Sequence, residues 1–155
     1  MKSVTHSLTT GHVGLNVTEL ERSVAFYQAI FGFEVVIRSE PGEPAWAFLA
    51  HEGELVLTLW QQSSGEATTD RPGLHHLSFQ VESVEGLRAV ESRIREAGAA
   101  IRHGGLVPHA EGADSGGIYF TDPDGIRLEV FVPEGATAAA DAGAPTPGAP
   151  TCGFF

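Results

Sequence analysis

Two stretches of the chain share one order of hydrophobic and polar positions. Residues 12–17 read His-Val-Gly-Leu-Asn-Val, and residues 76–81 read His-Leu-Ser-Phe-Gln-Val. Each stretch places apolar side chains at alternate positions, which is the pattern of a strand with one buried face. A helical pattern follows each strand and ends at a glycine, Gly32 or Gly98. The repeat therefore predicts a duplicated strand–helix unit.

Three further strands are predicted after each helix. They cover residues 33–39, 46–50 and 55–61 in the first half, and residues 100–103, 117–121 and 126–132 in the second. Thr18 and Glu21 have the spacing of a capping box, which predicts that the first helix begins just after Thr18. A strand–helix–strand–strand–strand order thus occurs twice, at a spacing of about 64 residues.

The length of 155 residues suits one domain. We expect that domain to cover residues 1–133, with modules at about residues 8–62 and 74–133 and the helices of both modules on one side of the strands. Residues 134–155 are rich in Ala, Gly and Pro and show no periodicity, so they are predicted to form a flexible tail. Its Phe-Phe end either docks on a partner or, as we favour, is exposed.

Charge and composition limit the partners. The net charge is -11, from 9 basic and 20 acidic residues, which disfavours nucleic acid and anionic membranes as partners. A small molecule is the expected partner. The chain shows no apolar stretch of bilayer length and no signal-peptide core, and Cys152 is the only cysteine. We therefore expect a cytoplasmic protein without an intrachain disulfide.

Strand alternation selects three candidate metal ligands. His12, His76 and Glu129 all fall on the strand face opposite the apolar side chains. Phe131 shares that face beside Glu129 and is expected to contact the substrate. Two imidazoles and one carboxylate form the donor set of a divalent metal site with open coordination positions. Either histidine alone could instead satisfy a strand end. Their equivalent positions in the repeat favour ligation.

The segment Asp122-Pro123-Asp124-Gly125 predicts a tight hairpin turn. If Asp122 pairs with Ile126, Tyr119 lies directly opposite Glu129, whereas a slip of one residue would place the two side chains on opposite faces. Tyr119 is therefore either a catalytic residue or a packing residue.

Further candidates come from a loop and from an aromatic group. The glycine-rich residues 104–116 form a long predicted loop containing His109, which is either an acid–base catalyst or an exposed loop residue. Trp46 and Phe48, with Trp60 nearby, either line a pocket for a flat ligand or pack in the core. The pattern places His75 on the core side or at the strand edge.

These residues resemble those of the vicinal oxygen chelate superfamily, which includes glyoxalases, bleomycin-resistance proteins, fosfomycin-resistance enzymes and extradiol dioxygenases. The resemblance is carried by residues 12–17, 74–79 and 119–125, together with Glu129. It implies an α+β fold in which two βαβββ modules form a cupped mixed sheet with helices outside. It also implies completion by dimerisation, with His12 of one subunit meeting His76 and Glu129 of the other.

The second half most resembles catechol-type extradiol dioxygenases. There the loop histidine and the tyrosine, here His109 and Tyr119, contact the catecholate beside an Fe(II) or Mn(II) ion; Zn or Ni is also compatible with the ligands. Those enzymes carry an acid–base histidine on the strand that corresponds to residues 54–60, which contain none. Leu57 takes the position of the fourth, carboxylate ligand of glyoxalases, so it is expected to adjoin the substrate. Both departures weigh against glyoxalase I activity and efficient cleavage of plain catechol.

Two functions follow from the sequence. The first is a metal-dependent, dioxygenase-like oxidoreductase, or else a lyase or isomerase, acting on a small substrate with vicinal oxygens. The second is a binding protein that sequesters an aromatic or antibiotic-like compound, as bleomycin-resistance proteins do. The complete triad of His12, His76 and Glu129 favours the enzyme.

Overall fold

One structural unit occurs twice in the protein. The computed structural model describes residues 6–110, 112–140 and 153–154. The first unit comprises β1 (Val13–Val17), α1 (Leu20–Phe31), β2 (Glu34–Arg38), β3 (Trp46–His51) and β4 (Glu54–Gln61). The second comprises β5 (Leu77–Gln80), α2 (Val84–Glu96), a 3-10 helix (Arg102–Gly104), β6 (Val107–Pro108), β7 (Gly116–Thr121) and β8 (Arg127–Val132), and is followed by α3 (Ala136–Ala139).

Each unit forms its own four-stranded mixed sheet. The strand orders are β1-β4-β3-β2 and β5-β8-β7-β6, and the two sheets follow the same rule. The first strand of each unit runs parallel to the last, while the other neighbours are antiparallel. The predicted α+β fold of two βαβββ modules is confirmed.

One hydrophobic core joins the modules. It contains fully buried side chains from both sheets and both helices, including Ile30, Leu59, Leu87 and Ile118. The ring of Phe31, at the end of α1, lies 4.7 Å from that of Phe79 on β5. The two helices also contact each other. The helices therefore pack on the core side of the two sheets.

The start of α1 differs from the prediction. Glu19, not Thr18, caps the helix, and its carboxylate accepts hydrogen bonds from the backbone N–H groups of Glu21 and Arg22. Thr18 instead bonds through its backbone N–H and its hydroxyl to the buried carboxylate of Asp124. The capping-box assignment was wrong because a long-range acceptor takes the threonine hydroxyl.

The predicted strand at residues 100–103 is also wrong. Arg102–Gly104 form a 3-10 turn, in which His103 has a φ of 57° and Gly104 a φ of 78°. Positive φ values cannot continue a strand. The short strand β6 begins later and pairs Val107 with Gly117.

Parts of the expected tail are ordered against the domain. Ala136, in α3, is buried, and the preceding Gly135 donates its backbone N–H to the side chain of Asp114. Phe154 is only 5% exposed. The prediction of a structureless tail is therefore wrong for residues 136–139 and 153–154, while Cys152 and Phe155 lie outside the described residues. Among the described residues, no helix combines the length and the apolar character that crossing a membrane requires.

Candidate metal and substrate site

Glu129 lies at the centre of the second sheet. It stands between Ser78 on β5 and Tyr119 on β7, its register partners on the two sides. The predicted register is confirmed because the backbone N–H of Asp122 donates to the carbonyl oxygen of Ile126 over 2.9 Å. The Glu129 side chain is nearly buried, at 6% exposure, on the face away from the helices.

Three predicted site residues converge on the Glu129 carboxylate. The Tyr119 hydroxyl donates to Oε1 over 3.0 Å, and Nε2 of His109 lies 2.6 Å from the same oxygen. Nε2 of His76 lies 3.4 Å from Oε2. The sequence placed these four residues in one site, and the structure brings them together.

The contacts of Glu129 favour its charged form. Burial alone would raise its pKa, but hydrogen bonds from His109, Ser78 and Tyr119, together with the charge of His109, hold the pKa below its usual value. A carboxylate that stays ionised is a suitable ligand for a divalent cation. Ser78 was not predicted to contribute, although its position opposite Glu129 on the same face was a usable signal.

A glycine provides the space that the carboxylate occupies. A Cβ atom at Gly117 would lie 2.8 Å from Oε1 of Glu129 and 3.1 Å from the carbonyl oxygen of Val130. Any side chain at this position would therefore displace the carboxylate or the strand. Sequence reasoning treated Gly117 only as part of a strand.

The orientation of the His109 ring is fixed at both nitrogens. Nδ1 lies 2.8 Å from the Ser115 hydroxyl, while Nε2 faces Glu129. The ring centroid of Phe131 lies 5.8 Å away. His109 is therefore a positioned residue of the site rather than an exposed loop residue, and Phe131 borders it as predicted from strand alternation.

His12 is not among the side chains that contact Glu129 in the described part of the chain. It is exposed at the start of β1, beside a cavity of about 300 Å³ that Ser78 and Phe79 also line. Within residues 6–110, 112–140 and 153–154, no three histidine, cysteine or carboxylate side chains meet as a metal-binding group. One chain thus brings together His76 and Glu129, and the third predicted ligand does not join them.

The two assembled ligands have a separation that one cation can bridge. Metal–nitrogen and metal–oxygen bonds of about 2.0–2.2 Å can span the 3.4 Å between His76 Nε2 and Glu129 Oε2. The ionised carboxylate and the imidazole also provide suitable donor chemistry. Two of the three predicted ligands therefore fit a divalent metal.

The aromatic side chains of the first module form a cluster on its open face. The ring of Trp46 lies 5.0 Å from that of Phe48 and 5.9 Å from that of Trp60, and all three rings are half-buried. Leu57 is different, because it is fully buried in the core with Leu59. It also lines the cavity beside His12, so the expectation that Leu57 adjoins the substrate stays a prediction.

Basic groups adjoin the site without having been predicted there. His75 is exposed at the edge of the strand, and its Nδ1 lies 2.8 Å from Nδ1 of His76. Nη1 of Arg127 lies 3.4 Å from Nε2 of His75. The signal for Arg127 was available, since it falls two residues before Glu129 on the same strand face.

Comparison with known proteins agrees with this geometry. Residues 9–130 match the profile of the Glyoxalase/Bleomycin resistance protein/Dioxygenase superfamily. The chain belongs to this superfamily. It is the vicinal oxygen chelate superfamily that the sequence motifs indicated, so that recognition is confirmed.

Three similar proteins illustrate the range of this superfamily. A trivalent organoarsenical cleaving enzyme of Bacillus sp. (strain MD1) is 35% identical, over 77% of this chain and 70% of that protein. A catechol-2,3-dioxygenase of Bacillus subtilis (strain 168) is 29% identical over 84% of this chain, which spans only 44% of the relative. A glyoxylase/bleomycin resistance protein/dioxygenase domain from Frankia sp. EAN1pec matches with a TM-score of 0.70 and 28% identity, over 83% of this chain and 94% of that one.

Proposed function

We propose that the protein is a divalent-metal-dependent enzyme acting on a small substrate with vicinal oxygens, by a dioxygenase-like reaction. The observation that carries this proposal is the convergence of His76, His109 and Tyr119 on the ionised carboxylate of Glu129. A carboxylate held only for folding has little need of two oriented imidazoles on an open sheet face. The catechol-2,3-dioxygenase and organoarsenical-cleaving relatives support an enzyme in general.

His76 and Glu129 would hold the metal, with His12 supplied by a second subunit of a homodimer. His12 stands apart from the other two ligands in the described part of the chain, which supports a shared site. The donor set favours Fe(II) or Mn(II) over Zn or Ni. A bound ion would hold two adjacent substrate oxygens and stabilise the negative charge that develops on them.

His109 and Tyr119 have defined tasks in this proposal. Both contact Oε1 of Glu129, so together they fix the orientation of the carboxylate plane. The imidazole of His109 is also an acid–base group in direct contact with Glu129, the proposed metal ligand. Its contact with the Ser115 hydroxyl orients the ring. His109 therefore takes the proton-transfer role for which strand β4 has no histidine.

A second candidate function has its own support. The cluster of Trp46, Phe48 and Trp60 gives the open face of the first sheet a half-buried aromatic surface. Such a surface can hold a flat compound without chemistry. A protein that only sequesters an aromatic compound would need this surface and no metal.

Metal analysis of protein purified without oxygen or chelator separates the two functions. We expect about one Fe or Mn per chain in the unmodified protein and in the control His6→Ala, and none in His76→Ala. His6 is an exposed histidine outside the proposed ligand set, which makes it the matched control. Zn or Ni in place of Fe or Mn would favour a lyase or isomerase. The absence of metal in all three proteins, even after reconstitution, would contradict the enzyme and favour sequestration.

A further inference from the structure

The end of the chain reaches the open face of the second sheet. Phe154 is 5% exposed and packs in a small cluster with Val107 and Tyr119. Its ring centroid lies 5.3 Å from that of Tyr119, in an edge-on arrangement at 86°, and 5.9 Å from the ring of His76. An aromatic ring from the chain itself thus lies beside two of the proposed site residues.

The backbone of Gly153, just before this ring, packs closely against Tyr119. A Cβ atom at Gly153 would lie 2.3 Å from the Tyr119 ring, so only glycine allows this approach. Nε2 of His103 donates to the carbonyl oxygen of Gly153 over 2.8 Å. His103 adopts a φ of 57°, a conformation that is uncommon for a residue with a side chain. The docked position therefore depends on particular contacts at both the ring and the backbone.

Two guanidinium groups flank the docked ring. The Cζ atoms of Arg102 and Arg127 lie 5.4 Å and 5.2 Å from the Phe154 centroid, within the range of cation–π contacts. Among the described residues, no carboxylate forms an ion pair with either arginine. The chain as a whole has a net charge of -11, so two arginines around one aromatic ring form a local positive region. Such a region suits an aromatic ring that carries a negative charge.

We propose that the pocket occupied by Phe154 is a binding subsite for an aromatic ring with an anionic substituent, and that Gly153–Phe154 is its intramolecular competitor. The ring would lie against Tyr119, and its anionic group would pair with Arg102 and Arg127. The identification of this ligand with a substrate rests on the proposed function. Binding itself requires no metal, so the two proposals can fail separately.

Competition by Gly153–Phe154 should lower the apparent affinity of the pocket for its ligand by a measurable factor. For a ligand that binds only when the pocket is free, the apparent association constant is the intrinsic constant multiplied by the fraction of molecules with a free pocket. A tail docked in nine of ten molecules therefore weakens binding by about tenfold. Release of the tail should recover this factor without any new contact to the ligand.

The experiment measures benzoate binding to the metal-free protein by isothermal titration calorimetry, with neutral benzamide as the matched ligand. Gly153→Ala should expel the segment by its clash with Tyr119, and Phe154→Ala should remove the competing ring. The control is Gly65→Ala, since a Cβ atom at Gly65 meets nothing within 4 Å. Circular dichroism establishes that each variant is folded, and a chain ending at residue 152 replaces any variant that is not.

We expect both tail variants to bind benzoate about tenfold more tightly than the unmodified protein and Gly65→Ala. Adding Arg127→Gln to Phe154→Ala should remove most of the preference for benzoate over benzamide. Equal benzoate affinity in all proteins, or binding in none, would overturn the proposal. A tail-dependent gain, found together with no metal uptake by the unmodified protein on reconstitution, would support the subsite while contradicting the proposed enzyme.

Discussion

The hydroxyl of Tyr119 donates a hydrogen bond to Oε1 of Glu129, directly across the antiparallel pair of β7 and β8. The pairing follows from the tight turn at residues 122–125, which closes the hairpin with Asp122 opposite Ile126. The geometry of the site is thus set by backbone register. Side-chain positions fixed in this way vary little, which suits a metal ligand.

Glu129→Gln should abolish metal binding. The glutamine amide has the size of the carboxylate but not its negative charge, and the proposed site depends on that charge to bind a divalent cation. Metal content per chain after reconstitution checks the prediction, with Glu66→Gln as the control because Glu66 is an exposed carboxylate between β4 and β5. Unchanged metal content in a folded Glu129→Gln protein would show that the ligand assignment is wrong.

Gly117→Ala should weaken metal binding while leaving every proposed ligand in the sequence. The added methyl group would lie 2.8 Å from Oε1 of Glu129 and must move the carboxylate. Displacement of a supporting contact in a metal site typically costs about 10–100-fold in affinity. Competition with a chelator measures the dissociation constant.

The matched control for this variant is Gly65→Ala, since a Cβ atom at Gly65 meets nothing within 4 Å. The control should retain the affinity of the unmodified protein. If Gly117→Ala retained it as well, Glu129 would not need its observed orientation in order to bind the ion.

Tyr27→Phe should change how stability depends on alkaline pH. The Tyr27 hydroxyl donates to Oδ2 of Asp122 over 2.9 Å. Burial, then the charge and hydrogen bond of Asp122, and then the charge of Asp124, raise the pKa of Tyr27 well above its usual value. Below about pH 10 the tyrosine is protonated in both the folded and the unfolded states, so its full contribution to folding stability is present. Above about pH 10 Tyr27 ionises only in the unfolded state. Its contribution then lowers the free energy of unfolding by about 1.4 kcal/mol per pH unit.

Urea unfolding between pH 7 and pH 11 tests this expectation. At pH 7 the variant should be less stable by about 1–3 kcal/mol, because the buried Asp122 oxygen loses its donor. Its stability should then decline less steeply above pH 10 than that of the unmodified protein. Parallel curves for the two proteins would mean that Tyr27 ionises at its ordinary pKa in the folded state.

The sequence predicted the parts of the fold that depend on local periodicity. Alternating apolar residues gave the duplicated strands, and the turn chemistry at Gly125, which has a φ of 81°, gave the register of Tyr119 and Glu129. The same alternation would have placed Leu57 in the core with Leu59. The cavity beside His12, which Leu57 also lines, is a feature that this alternation does not record.

Other features depend on contacts between distant segments, which local patterns do not record. Thr18 is recruited by Asp124, 106 residues away, so the capping box does not form. His103 turns the chain with a positive φ that its residue type does not suggest. Phe154 lies in a segment without periodicity, and its burial depends on a pocket assembled from other parts of the chain.

Mixing two defective chains should restore metal sites if the site is shared between subunits. His12→Ala and His76→Ala each remove one ligand, so neither protein alone should bind metal. In a mixed dimer, one site receives His12 from the His76→Ala chain and receives His76 and Glu129 from the His12→Ala chain. Random pairing makes half of the dimers mixed, so about a quarter of all sites should be intact after denaturation and refolding together. Metal content of the refolded mixture, compared with each variant refolded alone, measures this fraction. No metal in the mixture, although the unmodified protein binds one ion per chain, would mean that all ligands come from one chain and that His12 must move to join His76 and Glu129.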